Sequence, residues 1–428
     1  MVHNFYYKCR ICNTKFRLRW QVSDLGVNTV LVCPRCGTKI KGEISACGIG
    51  FNYNFINAID CSGEMTDSYG DFVLEISSEF LCKKIRQDVK VTSLTMVMRE
   101  PELFYNNQRT FALVDYANNV KKYTNDIITA YDLYNNSQYL YLKKLLINDK
   151  NPFLKEIKKT IQKYEFKKNI DYLMGIHQYA AILLSKTYID NTLTIMTNIT
   201  TEIFSIFESH NSQMLEYVSF LENEKYYIDV NIKFSKLIEA FLNQYKSFLP
   251  LYIKECQINV PLDEFGISTL DYEDLENFYK KAYEFICDYI PIVIGLNNIV
   301  SRNDFRNFVN CTSDFKTKMN SYLSKYRRFN ENIVDNEKFS NLFKNCLDNI
   351  IRNSEAHFST EYNTLTQKVT FRNNYMGNIT INEKYLIEFG IDVIKIFQKC
   401  CILWEFSYQL NKIYLCFVKG EINSYKNE

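Results

Sequence analysis

Two groups of residues in this chain have types and spacings that chemistry can use. The first is Cys9-x2-Cys12, in KCRICNTKF, followed by Cys33-x2-Cys36, in LVCPRCGTK. A two-residue spacing lets a tight turn aim both thiolates at one ion, and two such turns supply four ligands. Four thiolates leave no coordination position for water, so the expected ion is a structural Zn2+. A redox dithiol and unrelated buried cysteines are the alternatives, and a second pair at this distance argues against both. The second group is Arg352, Asn353 and His357, in IRNSEAHF near the end of the chain. Imidazole suits proton transfer near neutral pH. A guanidinium offers a fixed charge that can hold a phosphate in bidentate form.

Both groups need elements to position them. TVLV (29–32) has the β-branched texture of a strand leading into the second cysteine turn, and Gly37 follows Cys36 where a left-handed residue is wanted. NEKFSNLFKNCLDNIIRNSEAHF (336–358) reads as one amphipathic helix. On its wheel Phe343, Leu347, Ile350, Ile351, Ser354 and Phe358 share a core-facing sector of about 100°. Asn349, Arg352, Asn353, Ala356 and His357 occupy the opposite face, where the small alanine would let a neighbouring helix approach.

The rest of the chain supplies the frame. At 428 residues with 46% hydrophobic side chains it is long enough for several domains and a large core. A net charge of +2 gives no global signal for nucleic acid, although local patches remain open. No arginine lies between Arg109 and Arg302, and the chain has four histidines, so each is informative. His177 and His210 fall in helical runs without ligand partners at metal spacing and read as ordinary packed or surface residues. No apolar signal core opens the sequence, and no stretch is expected to span a bilayer. Fourteen cysteines without a secretory signal fit a reducing, cytoplasmic setting.

The expected architecture is mainly α. Residues 1–42 form a metal-binding ribbon and 43–110 a small strand-containing region, with strands at 71–80 and 89–100. A helical region covers 111–269, including the periodic run 180–210. Asp271 opens a further helix as an N-cap, within a last segment covering 270–428.

Residues 5 to about 42 resemble the zinc-ribbon family. Lys8, Arg10, Lys15, Arg17, Arg19, Arg35, Lys39 and Lys41 make this stretch basic, and Phe16 and Trp20 are interleaved with them. That mixture admits either a nucleic-acid contact or a module packed on its own chain.

IRNSEAHF resembles the signature of the HEPN superfamily, whose ribonuclease members carry Arg, often Asn, four residues and His on one helix of an all-α bundle. The tail adds to the likeness: EYNTLTQKVTF (361–371), NITIN (378–382) and a long helix from Glu383 are similar to members with a short β-hairpin before the last helix. The resemblance covers roughly 270–420. It implies metal-independent RNA cleavage by 2′-hydroxyl attack, with His357 as acid/base, Arg352 clamping the phosphate and Asn353 orienting one of them. It further implies a homodimer that completes the site, and a toxin or abortive-infection role with an antitoxin or trigger protein. A non-catalytic RNA- or protein-binding module is the competing expectation.

Overall fold

A computed structural model describes residues 2–47, 50–61, 72–87, 107–148, 164–189, 191–254, 260–308, 334–343, 348, 350–351, 360–375 and 378–421. The chain begins with β1 (Val2–Cys9), β2 (Lys15–Gln21), β3 (Val27–Val32), β4 (Lys39–Cys47), β5 (Gly50–Ile56), β6 (Ala58–Asp60), β7 (Phe72–Ile76), β8 (Cys82–Lys83) and β9 (Arg86–Gln87). Helices follow as α1 (Asn107–Asn135), α2 (Tyr139–Asn148), α3 (Asn169–Leu184), α4 (Thr192–Ser209), α5 (Asn211–Asn223), α6 (Tyr226–Leu242) and α7 (Tyr245–Lys254). After β10 (Phe265–Gly266) come α8 (Tyr272–Tyr289), α9 (Pro291–Arg302) and α10 (Glu337–Phe343). The described chain ends with β11 (Thr360–Asn363), β12 (Lys368–Tyr375), β13 (Asn378–Tyr385), α11 (Leu386–Ile413) and a π-helical turn, Tyr414–Val418. A β-rich N-terminal region, a mostly helical remainder and a small sheet before the long last helix therefore match the expected class.

The described residues fall into two compact units, each discontinuous in sequence. The first draws on Met1–Val120, Asn243–Phe278 and Ile350–Val393. Its main sheet has the order β6-β1-β2-β7-β9, and a second sheet runs β3-β4-β5. β4 spans residue 42, β6 pairs with β1, and β7 lies parallel to β2, so strands from both sides of that position share sheets. The core between these strands collects Phe5, Tyr7, Phe16, Leu18, Trp20, Leu31, Ile40, Ile44, Leu74 and Ile76. β2 is central in its sheet and is buried on both of its faces. One face carries Phe16, Leu18 and Trp20 into the core. The other carries Arg19, directly opposite Glu75 on β7, into an ion pair whose two side chains are each 1% exposed.

In the same unit the hairpin expected before the last helix is present and is extended to a three-stranded meander, β11-β12-β13. Gln367, in the turn before β12, donates its amide to the Ile267 carbonyl and accepts from the Ile267 N–H. A Cβ at the neighbouring Gly266 would lie 2.6 Å from that amide oxygen, so a larger residue there would push the carboxamide off the Ile267 backbone. Asp271 does cap α8: its carboxylate accepts from the Glu273 N–H at 3.2 Å, and its carbonyl accepts from Leu275.

The second unit draws on Lys121–Leu242, Tyr279–Asn349 and Ile394–Glu428. The part of α11 in it is buried nearly all round, the signature of a central helix. Phe397 stacks on Phe241 with centroids 3.9 Å apart, and Trp404 stacks on Phe234. Several of its buried polar groups pair with neighbours: Gln398 bonds to Thr187 and Thr192, and Glu405 to His177 and Gln409.

The periodic run 180–210 is helical as expected, in pieces: α3 ends at Leu184, a 3-10 turn covers Ser185–Thr187, and α4 begins at Thr192. Two expectations change. Tyr272–Arg302 does contain an 18-residue window of mean hydropathy 1.2, apolar and long enough by composition to cross a membrane; 78% of that window is buried in the protein, as in a core helix. The continuous helix over 336–358 is interrupted. α10 covers Glu337–Phe343, capped by the Asn336 carboxamide, and Ile350 and Ile351 are helical again. Between them Asp348 is non-helical, and its N–H donates to the Tyr279 hydroxyl at 3.3 Å. The expected strand over 89–100 lies outside the described residues.

Candidate metal centre

The four N-terminal cysteines converge. Cys9 closes β1 and Cys33 follows β3, while Cys12 and Cys36 stand in the turns leading to β2 and β4. The two turns are built alike. Cys9 N–H donates to the Thr14 carbonyl and Asn13 N–H to the Cys9 carbonyl. In the second turn Cys33 N–H donates to Thr38 and Gly37 N–H to Cys33. Each loop closes through a left-handed residue, Asn13 at φ 58° and Gly37 at φ 73°, conformations that asparagine and glycine tolerate best.

All four sulfurs lie within 4.8 Å of one another. Across the two turns, Cys9 Sγ is 3.6 Å from Cys36 Sγ and Cys12 Sγ is 3.5 Å from Cys33 Sγ. A tetrahedral ion with metal–sulfur bonds of about 2.3 Å would space its sulfurs by about 3.8 Å. The cysteines are free thiols, and their spacing fits a closed structural metal site.

Two hydroxyls complete the arrangement. Thr14 Oγ1 is 3.0 Å from Cys12 Sγ and Thr38 Oγ1 is 3.1 Å from Cys36 Sγ. Hydrogen bonds from the Thr14 hydroxyl and backbone hold the Cys12 thiol down at about 6. Thr38 lowers Cys36 in the same way, whereas burial pushes Cys33 up to about 12. The turns thus stabilise the anion on the outer cysteine of each pair, the charge state a metal requires. Thr14 and Thr38 were not singled out from the sequence, although the repeat C-x2-C-x-T-K is there to be read.

The basic, aromatic texture of the ribbon resolves into separate roles. Phe16 and Trp20 are 1% and 0% exposed, so neither offers a face for a base to stack on. Arg17 and Arg19 are buried, and Lys39 and Lys41 are held by Asp271 at 2.8 and 2.6 Å. The exposed remainder at the turn tips includes Arg10, Ile11 and Arg35. Among the described histidines, His177 stacks on Tyr408 and meets Glu405 at 2.8 Å, and His210 flanks α4; neither joins a metal-ligand cluster.

Arg352, Asn353 and His357, with Asn349 and Ala356 of the same face, lie outside the described residues. The core face expected beside them is described at Phe343 and Ile351, each 1% exposed, and at the half-buried Ile350. Compared with protein-family models, with curated proteins and with solved structures, the chain matches none.

Proposed function

We propose that the protein is a metal-independent endoribonuclease of HEPN type carrying a structural zinc ribbon. The observation that carries this reading is the sequence Arg352-Asn353-x3-His357, read directly after a buried Ile351. A buried Ile351 is what the wheel requires if the motif occupies the face turned away from the core. The small sheet and long closing helix after the motif add support.

In this reading the RNA 2′-oxygen attacks the adjacent phosphorus and the bond to the 5′-oxygen breaks. One proton leaves the 2′-hydroxyl and one reaches the departing 5′-oxygen, and His357 serves that exchange. Arg352 neutralises the phosphate as negative charge builds in the transition state. Asn353 orients one of them. The products are a 2′,3′-cyclic phosphate and a 5′-hydroxyl, and no metal takes part. Two copies of the chain complete the site as a homodimer, acting in the cytoplasm as a toxin or anti-phage effector under the control of an antitoxin or trigger protein. Zn2+, held by Cys9, Cys12, Cys33 and Cys36, folds the ribbon and stays out of the reaction.

The test is purified full-length protein incubated with total RNA in EDTA, beside a His357→Ala variant. Cleavage by the first and none by the second is the expected result. A 5′-phosphate product, or dependence on added magnesium, would reject the assignment. A non-catalytic RNA- or protein-binding module is the second reading. Exposed Arg10, Ile11 and Arg35 at the ribbon tip favour it, Ile11 being 65% exposed. Retained binding with no cleavage under any condition would select it.

A further inference from the structure

The first unit contains a cavity of about 380 Å³ to which nothing above assigns a role. It lies among β3, the segment Cys82–Ile85, the approach to α8 and the turn between β11 and β12. Its volume falls in the range that holds a small organic ligand, roughly 300–1,000 Å³.

One wall is aromatic. Tyr272 and Tyr362 both line the cavity and stack on each other with centroids 5.5 Å apart and planes 20° from parallel. Leu31, Leu74, Ile85 and Leu365 add apolar side chains to the lining. A planar heterocycle would extend such a stack.

The charges differ in how they are engaged. The carboxylates at the cavity are already neutralised within the protein. Asp271 holds Lys39 and Lys41, and Glu75 holds Arg19 and Arg86 at 3.2 and 3.3 Å. Glu273 reaches Lys39 at 3.3 Å. Lys84 is different. Its ammonium donates to the carbonyls of Leu262 and Asp263 at 2.7 and 3.1 Å and lies 4.4 Å from the centre of the Tyr385 ring. Lys368 approaches the same ring at 5.3 Å, and Lys83 also lines the cavity. Burial, with Lys368 nearby, holds Lys84 below the usual lysine range, although Asp263 pulls the other way. An ammonium has three donors, and two of them here go to neutral carbonyls. A cation so placed gains from an anionic acceptor.

We propose that this cavity binds a nucleoside monophosphate, with the base against Tyr272 and Tyr362 and the phosphate at Lys84 and Lys83. The site is independent of the nuclease reading, so either can fail alone.

Titration calorimetry on the full-length, metal-loaded protein tests it, using adenosine and guanosine 5′-monophosphates as probes. Adenosine, inorganic phosphate and a single-stranded RNA blocked at both ends are the comparison arms. A saturable signal for a monophosphate, stronger than for adenosine or phosphate alone, is expected. Lys84→Ala should weaken it at least ten-fold, because a charge-assisted bond is lost. Since Lys84 also ties down the 262–263 segment, Leu365→Trp provides the second variant. Leu365 is a turn residue, 46% exposed, and a larger ring there fills the cavity without touching the core. It should weaken binding as much. Absence of saturable binding, affinity unchanged in both variants, or binding by the blocked RNA alone would overturn the proposal.

Discussion

Replacing Thr14 or Thr38 by valine keeps shape and removes one hydroxyl from beside a metal-ligating sulfur. Each hydroxyl meets its cysteine at nearly the same distance, 3.0 and 3.1 Å, so geometry alone predicts equal effects. Burial does not. Thr14 is 2% exposed and Cys12 is partly covered, whereas Thr38 is half-buried and Cys36 exposed. When Thr38→Val removes the hydroxyl, water can replace it at the Cys36 sulfur; at Thr14 little water can enter, and the thiolate loses the donor outright. The backbone N–H of each threonine still donates in both variants. Loss of a partner that supports a metal ligand costs roughly 10–100-fold in metal affinity. Thr14→Val should fall near the upper end of that range, about 100-fold, and Thr38→Val near the lower end, about 10-fold. The assay is competition for Zn2+ between the full-length protein and a chromogenic chelator at fixed pH, with metal content checked by elemental analysis. Wild-type affinity in both variants, or a larger loss at Thr38 than at Thr14, would refute the argument that buried hydroxyls stabilise these thiolates.

Freshly purified protein should contain about one zinc per chain, and Cys33→Ala should lose it and unfold the ribbon; elemental analysis with circular dichroism checks both. Glu75→Ala should destabilise the first unit by about 3–5 kcal/mol because it removes the carboxylate that neutralises Arg19 and Arg86, while replacing all three together, Arg19→Met, Glu75→Leu and Arg86→Met, should be close to neutral. Trp20 and Trp404 are the two tryptophans and lie in different units, so urea unfolding of a Trp404→Phe background reads the first unit alone. For Asp271, desolvation opposes ionisation, but hydrogen bonds from Lys39 and Lys41 outweigh it and the carboxyl stays below its ordinary value of 3.8. A depressed folded-state pKa contributes stability in full above the unfolded value and loses it as pH falls through the folded one. Acid unfolding followed at Trp20 should therefore show a loss below about pH 4 that Asp271→Asn lacks. Under the proposed nuclease reading, Arg352→Ala should abolish RNA cleavage in EDTA as completely as His357→Ala, and only the former should also weaken RNA binding, measured by gel shift. Under the proposed homodimer, Ala356→Trp should weaken dimerisation, read by light scattering.

How much of this was legible depended on where each partner stands in the sequence. The cysteine turns could be read because the ligands of each turn are three residues apart and the chemistry is local. The cap at Asp271 could be read for the same reason. Phe16, Arg17, Arg19 and Trp20 left two readings open because a run of alternating basic and aromatic residues describes an exposed binding strand and a buried central strand equally well. The residue that decides between them is Glu75, which faces Arg19 only because β7 returns parallel to β2. A local window cannot contain that information. The interruption at Asp348 has the same origin. Of the core face expected over 336–358, Phe343 and Ile351 are buried among the described residues. Yet Asp348 is non-helical, and its N–H donates to a tyrosine hydroxyl 69 residues earlier in the chain. A tertiary acceptor lets a backbone N–H leave a helical pattern at little net cost, since the N–H stays satisfied. Hydrophobic periodicity therefore picked out Phe343 and Ile351 as buried positions while giving no indication that Asp348 is non-helical.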